Sequence, residues 1–149
     1  MKNNTTPSFD NYDDAIDWAF NDAKHKLKMR LQKKNIEDIN CEASKAAKTA
    51  VDNFLQEWKT KTGGNEYGEP LYCGFAWVDV YVSRTNSKEA KLLKSIGFEK
   101  SYYKPKVMTK WNPASYEGQS LDCKEVGADA YTKVLKQYGF DAFTGSRAD

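Results

Sequence analysis

The side chains best suited to chemistry in this chain are aromatic rings and ammonium groups. Phe75, Trp77 and Tyr81 occupy alternate positions of the stretch 71–83, with Asp79 in the same series. Rings at every second residue of an extended strand share one side. There they stack on unpaired bases at about 1–3 kcal/mol per base. A second group comprises Tyr102, Tyr103, Lys104, Lys106, Lys110 and Trp111. Cations interleaved with rings suit phosphate contact plus stacking. A half-exposed hairpin whose lysine stems lie along apolar surface would have the same composition. Candidate nucleic-acid contacts are therefore Phe75, Trp77, Tyr81, Tyr103, Lys104, Lys106, Lys110 and Trp111. A third group, Gly118-Gln119-Ser120 followed by Lys124 and Glu125, stands where a helix should start. Free N–H groups there hold anions, which makes Gln119, Ser120 and Lys124 candidates. A capping box, Asp122-x-x-Glu125, is the competing reading. Arg147, third from the end, is a further anion candidate, or a solvated residue paired with Asp149.

Catalytic and metal chemistry find little support. The single histidine, His25, lies between Lys24 and Lys26. A His-based nucleophilic dyad or a His-rich metal site is not expected. There is no Gly-x-x-x-x-Gly-Lys or Gly-x-Gly-x-x-Gly loop, so no nucleotide cofactor is implied. No catalytic residue, metal or cofactor is assigned, and an enzyme ranks third among the readings. Cys41, Cys73 and Cys123 are odd in number and form no Cys-x-x-Cys pair. They are expected as reduced thiols of a cytosolic protein.

The 149 residues suit a single domain, and 40% hydrophobic with 13% aromatic content is too apolar for a disordered chain. Net charge is only +2, but its sign is segregated. Lys24 to Lys34 holds six bases and no acid, while the first 22 residues hold five Asp against Lys2. Such segregation makes a basic face without a basic protein, or an ordinary solvated helix surface. No apolar run reaches membrane-spanning length and the first ten residues are polar. No membrane contact and a cytoplasmic location are expected.

Two amphipathic helices should position the N-terminal part, 1–64. The first starts near Asp10 or Asn11 and carries Tyr12, Ile16, Ala19, Phe20, Ala23, Leu27 and Leu31, with Asn35 as its breaker. The second spans about Ile36 to Trp58 or Lys61 with the stripe Ala43, Ala46, Ala47, Ala50, Val51, Phe54, Leu55 and Trp58, and its alanines let a partner helix come close. Gly63 and Gly64 end it. In 71–149 the expected order is a strand over 71–83, then a helix from the capping box Asn86-x-x-Glu89 to Gly97. Strands at 98–104 and 106–111, a helix to Gly139 and a strand at 140–144 complete it. The corners Ile96-Gly97-Phe98 and Tyr138-Gly139-Phe140 echo each other as helix end, left-handed glycine and strand entry. The fold class is α+β: an N-terminal helical pair plus a ferredoxin-like β-α-β-β-α-β sheet. Ala76, Val78, Val80 and Val82 would pack on helices. The Phe75, Trp77 and Tyr81 side would be open, or covered by the two leading helices through Phe20, Phe54 and Trp58.

Gly74-Phe75-Ala76-Trp77-Val78 resembles the RNA-recognition strand pattern of Gly, aromatic, small, aromatic, aliphatic. Cys73 replaces that pattern's basic residue, and the segment falls on the first strand rather than the third. Together with Trp111, Gly118-Gln119-Ser120, Lys124-Glu125 and the Gly145-Ser146-Arg147 end, it is similar to a group of small uncharacterised proteins of tailed bacteriophages. The resemblance covers 72–149. Members typically end Ser-Arg-Leu-Asp, where this chain has Ala148 before Asp149. It implies a phage protein acting in a bacterial cytoplasm and transfers no activity. Two functions are expected from the whole: nucleic-acid binding through the aromatic and basic sheet face, or a protein-interaction module that redirects a host factor in defence or transcription.

Overall fold

The computed structural model describes residues 15–22, 24 and 35–149. Residues 15–22 are helical. The rest of the expected first helix, and His25 with it, lies outside the described residues. Whether Asn35 breaks that helix falls outside the described residues, but it does start the next one. Its side chain accepts the Glu37 N–H (3.0 Å) and caps α1, Ile36–Thr62. Gly63, at φ +78°, closes α1 in the left-handed conformation that glycine adopts without strain.

A four-stranded antiparallel sheet follows. It is built from β1 (Gly74–Tyr81), β2 (Glu99–Lys100), β3 (Val107–Trp111) and β4 (Ala142–Ala148), in the order β2-β3-β1-β4. Helix α2 (Lys88–Ser95) connects β1 to β2, and α3 (Leu121–Gln137) connects β3 to β4. The chain is thus α+β. Among the described residues no helix is long and apolar enough to cross a membrane.

Both expected capping boxes shift to a nearby serine. Ser87, not Asn86, caps α2 by accepting the Ala90 N–H, and Ser120, not Asp122, caps α3 by accepting the Cys123 N–H. A short hydroxyl reaches the N3 amide as well as a carboxylate does. The strand expected at 98–104 shrinks to two residues because 101–106 turns, with Lys106 at φ +57°. The last strand runs further than expected, to Ala148. The tail pairs with β1, Phe75 opposite Arg147 and Gly74 opposite Ala148.

Ala76, Val78 and Val80 are buried on the helix side of β1. Helix α1 packs along α3. Its buried line is Ile36, Ile39, Ala43, Ala47 and Val51. Gly127 of α3 sits where an added Cβ would come within 2.6 Å of Ala114 Cβ and 3.1 Å of Val51 Cγ2. Small residues on both sides allow this approach. The aromatic side of β1 is partly open: Phe75 is 38% and Tyr81 43% exposed, Trp77 is half-buried, and Phe20 and Lys24 line a cleft beside Tyr81.

Candidate nucleic-acid interface

Pairing register decides which side chains share the open face. Trp77 stands opposite Trp111, Asp79 opposite Thr109, and Thr109 opposite Glu99. On the other edge Trp77 faces Gly145, Asp79 faces Phe143 and Phe75 faces Arg147. Directly paired residues lie on the same side of a sheet. One surface therefore carries Phe75, Trp77, Asp79, Tyr81, Glu99, Thr109, Trp111, Phe143 and Arg147.

The two indoles lie with centroids 4.8 Å apart, tilted 46°. Trp111 is 55% exposed. Gly145 permits Trp77 to lie across β4, since a Cβ there would be 2.4 Å from the indole. Tyr81 meets Phe143 edge-on at 5.4 Å. Phe75 is flanked by two cations, the Lys124 ammonium at 5.2 Å and the Arg147 guanidinium at 5.6 Å from its ring centre. Beside the indole pair a cavity of about 300 Å³ opens, with Tyr102, Tyr103 and Lys104 on its rim and Asp79 and Thr109 in its lining.

Asp79 is the buried charge of this face, 4% exposed. Its carboxylate accepts from Thr109 Oγ1 (2.6 Å), Trp77 Nε1 (3.3 Å) and Lys104 Nζ (3.2 Å). The hydrogen bond and the charge of Asp79 together push the Lys104 ammonium pKa up. The Lys104 side chain stays 54% exposed. The carboxylate thus keeps hydrogen-bond partners although nearly closed to water.

Lys110 parts from its neighbours. It stands opposite Val78 on the helix side. There Nζ donates to Ile96 O (2.8 Å), Asn40 Oδ1 (3.1 Å) and Tyr131 Oη (3.5 Å). Tyr131 in turn donates to Asn40 (2.6 Å). Burial lowers the Lys110 pKa. This lysine ties β3 to α1, α3 and the Gly97 corner, and it is not part of the open face. Tyr103 and Lys106 are exposed on the 101–106 turn.

The four anion candidates do not form one site. Gln119 and Ser120 do donate to an anion, but it is the chain's own Glu69. That carboxylate accepts the Gln119 N–H (3.0 Å), the Ser120 N–H (3.3 Å) and the Tyr116 hydroxyl. Burial pushes its pKa up. The hydrogen bonds from Tyr116, Gln119 and Ser120, helped by the Lys124 charge, outweigh this and leave it lowered. Lys124 is buried and donates to Gly74 O (2.8 Å). Of the four only Arg147 is exposed on the open face, and Lys124 meets the Phe75 ring from a buried position.

Asp79, Thr109, Glu99 and Phe143 were not singled out from sequence. Asp79 had a signal, its place between two rings in a period-2 series. The other three join only through register. Among the described residues no group of three or more His, Cys, Asp or Glu could hold a metal.

A second cleft contains Glu89, lined also by Tyr81, Lys136 and Asp141. Burial, with the nearby Asp141 charge, pushes the Glu89 pKa up from 4.5 to about 7. The folded chain then holds a proton that the unfolded chain releases between these values. The contribution to stability is complete below pH 4.5 and disappears as pH rises through 7. Discounted for solvent screening, the effect is about 1–2 kcal/mol. Denaturant titrations at pH 5 and 8 should show the wild type losing that much more stability than Glu89→Gln over this interval.

Comparisons with protein-family models, curated proteins and solved structures find no match to this chain.

Proposed function

We propose that the chain binds single-stranded nucleic acid across the open side of its sheet. The observation that carries this reading is the Trp77–Trp111 pair, open on a sheet face and flanked by Arg147, Lys104 and the lysines near it. Unpaired bases stack on such rings without regard to sequence, and cations beside them take the phosphates. We also propose the ferredoxin-like assignment for 71–149, supported by the strand order and by one helix after β1 and one after β3. The phage resemblance of 72–149 supports action in a bacterial cytoplasm.

Tryptophan fluorescence during titration with a short oligothymidylate tests the reading. Quenching at low salt should weaken with added salt. If Arg147, Lys104 and Lys106 each meet one phosphate, the slope of log K against log salt is about −2. Lys104→Ala with Lys106→Ala should bring it to about −0.7. No quenching at low salt would end the proposal.

One observation favours a protein partner instead. Tyr67, Leu71 and Tyr72 are large, exposed and close in sequence. Such patches mark protein contacts. Capture of partners from bacterial lysate that persists after nuclease treatment would support a module that redirects a host factor.

A further inference from the structure

We propose that the cavity beside the Trp77–Trp111 pair selects guanine over the other bases through Asp79. This deepens the single-strand reading and rests on it.

A sequence-blind stacking surface has no use for a carboxylate at its centre. Asp79 stands there, in the row next to Trp77, with Glu99 across Thr109 on the same face. An ionised carboxylate only accepts hydrogen bonds, at about four lone-pair positions. Thr109, Trp77 and Lys104 take three of these in the structure. Thr109 and Trp77 are built into the strands. Lys104 comes from the 101–106 turn on a side chain that is 54% exposed. Of the three partners only Lys104 is carried on an exposed side chain, so it is the one that a base's donors would displace.

A base stacked on the indoles turns one edge toward this carboxylate. Guanine presents two adjacent donors, its ring N1–H and its exocyclic amine, matching a carboxylate bidentately. Adenine and cytosine present one amino group beside an acceptor nitrogen, and thymine presents one N–H between two carbonyls. Each of these sets a lone pair against the negative oxygens. The cavity, about 300 Å³, is at the small end of ligand pockets and suits a single base. Asp79 and Glu99 line the cavity beside the cations Lys100, Lys104 and Arg147, so a base edge and its neighbouring phosphates find acceptors and cations in the same place. Once displaced, Lys104 is free to meet the backbone.

The test uses the full chain and five thymidine pentamers whose central base is guanine, adenine, cytosine, thymine or hypoxanthine. Tryptophan quenching reads the affinities. Guanine should bind about tenfold more tightly than adenine, cytosine or thymine. Hypoxanthine keeps N1–H and lacks the amine, so it should fall between guanine and adenine. That comparison needs no variant. Asp79→Asn keeps the shape and the acceptor for Thr109 but replaces one oxygen with a donor. It should abolish the guanine preference, bringing the guanine pentamer to within about twofold of the thymine pentamer in the same variant. Equal binding of all five pentamers overturns the inference and leaves the stacking face standing. A guanine preference that survives Asp79→Asn overturns the role of Asp79. Failure of every pentamer to bind at low salt overturns both readings.

Discussion

Replacing Trp77 by alanine should weaken binding of a short single strand by about ten- to a hundredfold. That is the loss of one base–indole stack at about 1–3 kcal/mol. Trp77 is the stronger choice of the two indoles because the fold holds it in place. Its ring lies over Gly145, its Nε1 donates to Asp79, and Trp111 meets it at 4.8 Å. A ring already held loses little freedom on binding, so its contact energy goes into affinity. Tyr103, about nine-tenths exposed and touching Tyr102 edge-on, must be ordered by the ligand, and its alanine variant should cost less. Trp77→Phe should keep most of the affinity. Gly145→Val should imitate the alanine variant without touching the indole's chemistry, because its Cβ would fall on the ring. Thermal melts of each variant separate lost contact from lost fold. Wild-type affinity in a folded Trp77→Ala protein would remove the sheet face from the binding account.

The second large effect concerns stability. Gly127→Val should destabilise the chain by about 3 kcal/mol, the upper part of the range for overpacking. Two opposing effects meet at this position. A glycine inside a helix costs roughly 1 kcal/mol relative to alanine, so removing it from an exposed site would stabilise α3. Here the new Cβ would stand 2.6 Å from Ala114 Cβ and 3.1 Å from Val51 Cγ2, and the β-branch of valine adds two more methyl groups. The clash outweighs the propensity. For a chain of this size the melting temperature should fall by about 10 °C. Ala114→Gly in the same chain should restore part of the loss, because it removes the nearer of the two contacts. If Gly127→Val melts at the wild-type temperature, α1 and the 112–116 turn do not approach α3 this closely.

Much of the path to the site was legible along the chain. Period-2 alternation separated Ala76, Val78 and Val80 from Phe75, Trp77 and Tyr81, and the structure buries the first set and exposes two of the second. The glycine corners at Gly97 and Gly139 do take positive φ, +100° and +88°. The stripe of alanines did mark a close helix contact, although the partner is α3. The same alternation already separated Lys110 from Trp111. Grouping by nearness in sequence placed them together, and one residue along a strand is the difference between two faces.

What local sequence determined, then, is what each segment forms and which of its sides is apolar, because φ/ψ preference and hydrophobic period act within a few residues. Tertiary structure alone decided three things. It carried the last strand on to Ala148 along β1, setting Arg147 beside Phe75 and Gly145 beneath Trp77. It filled the helix start at Gln119 and Ser120 with Glu69, a carboxylate fifty residues away along the chain. It sent α1 to α3, away from the Trp77–Trp111 pair. Each outcome depends on pairing between distant segments. The free energy of such pairing comes from burial and register that neither partner carries alone. Single-strand binding depends on the Trp77–Trp111 pair, and a folded protein whose tryptophans ignore single strands would remove its support.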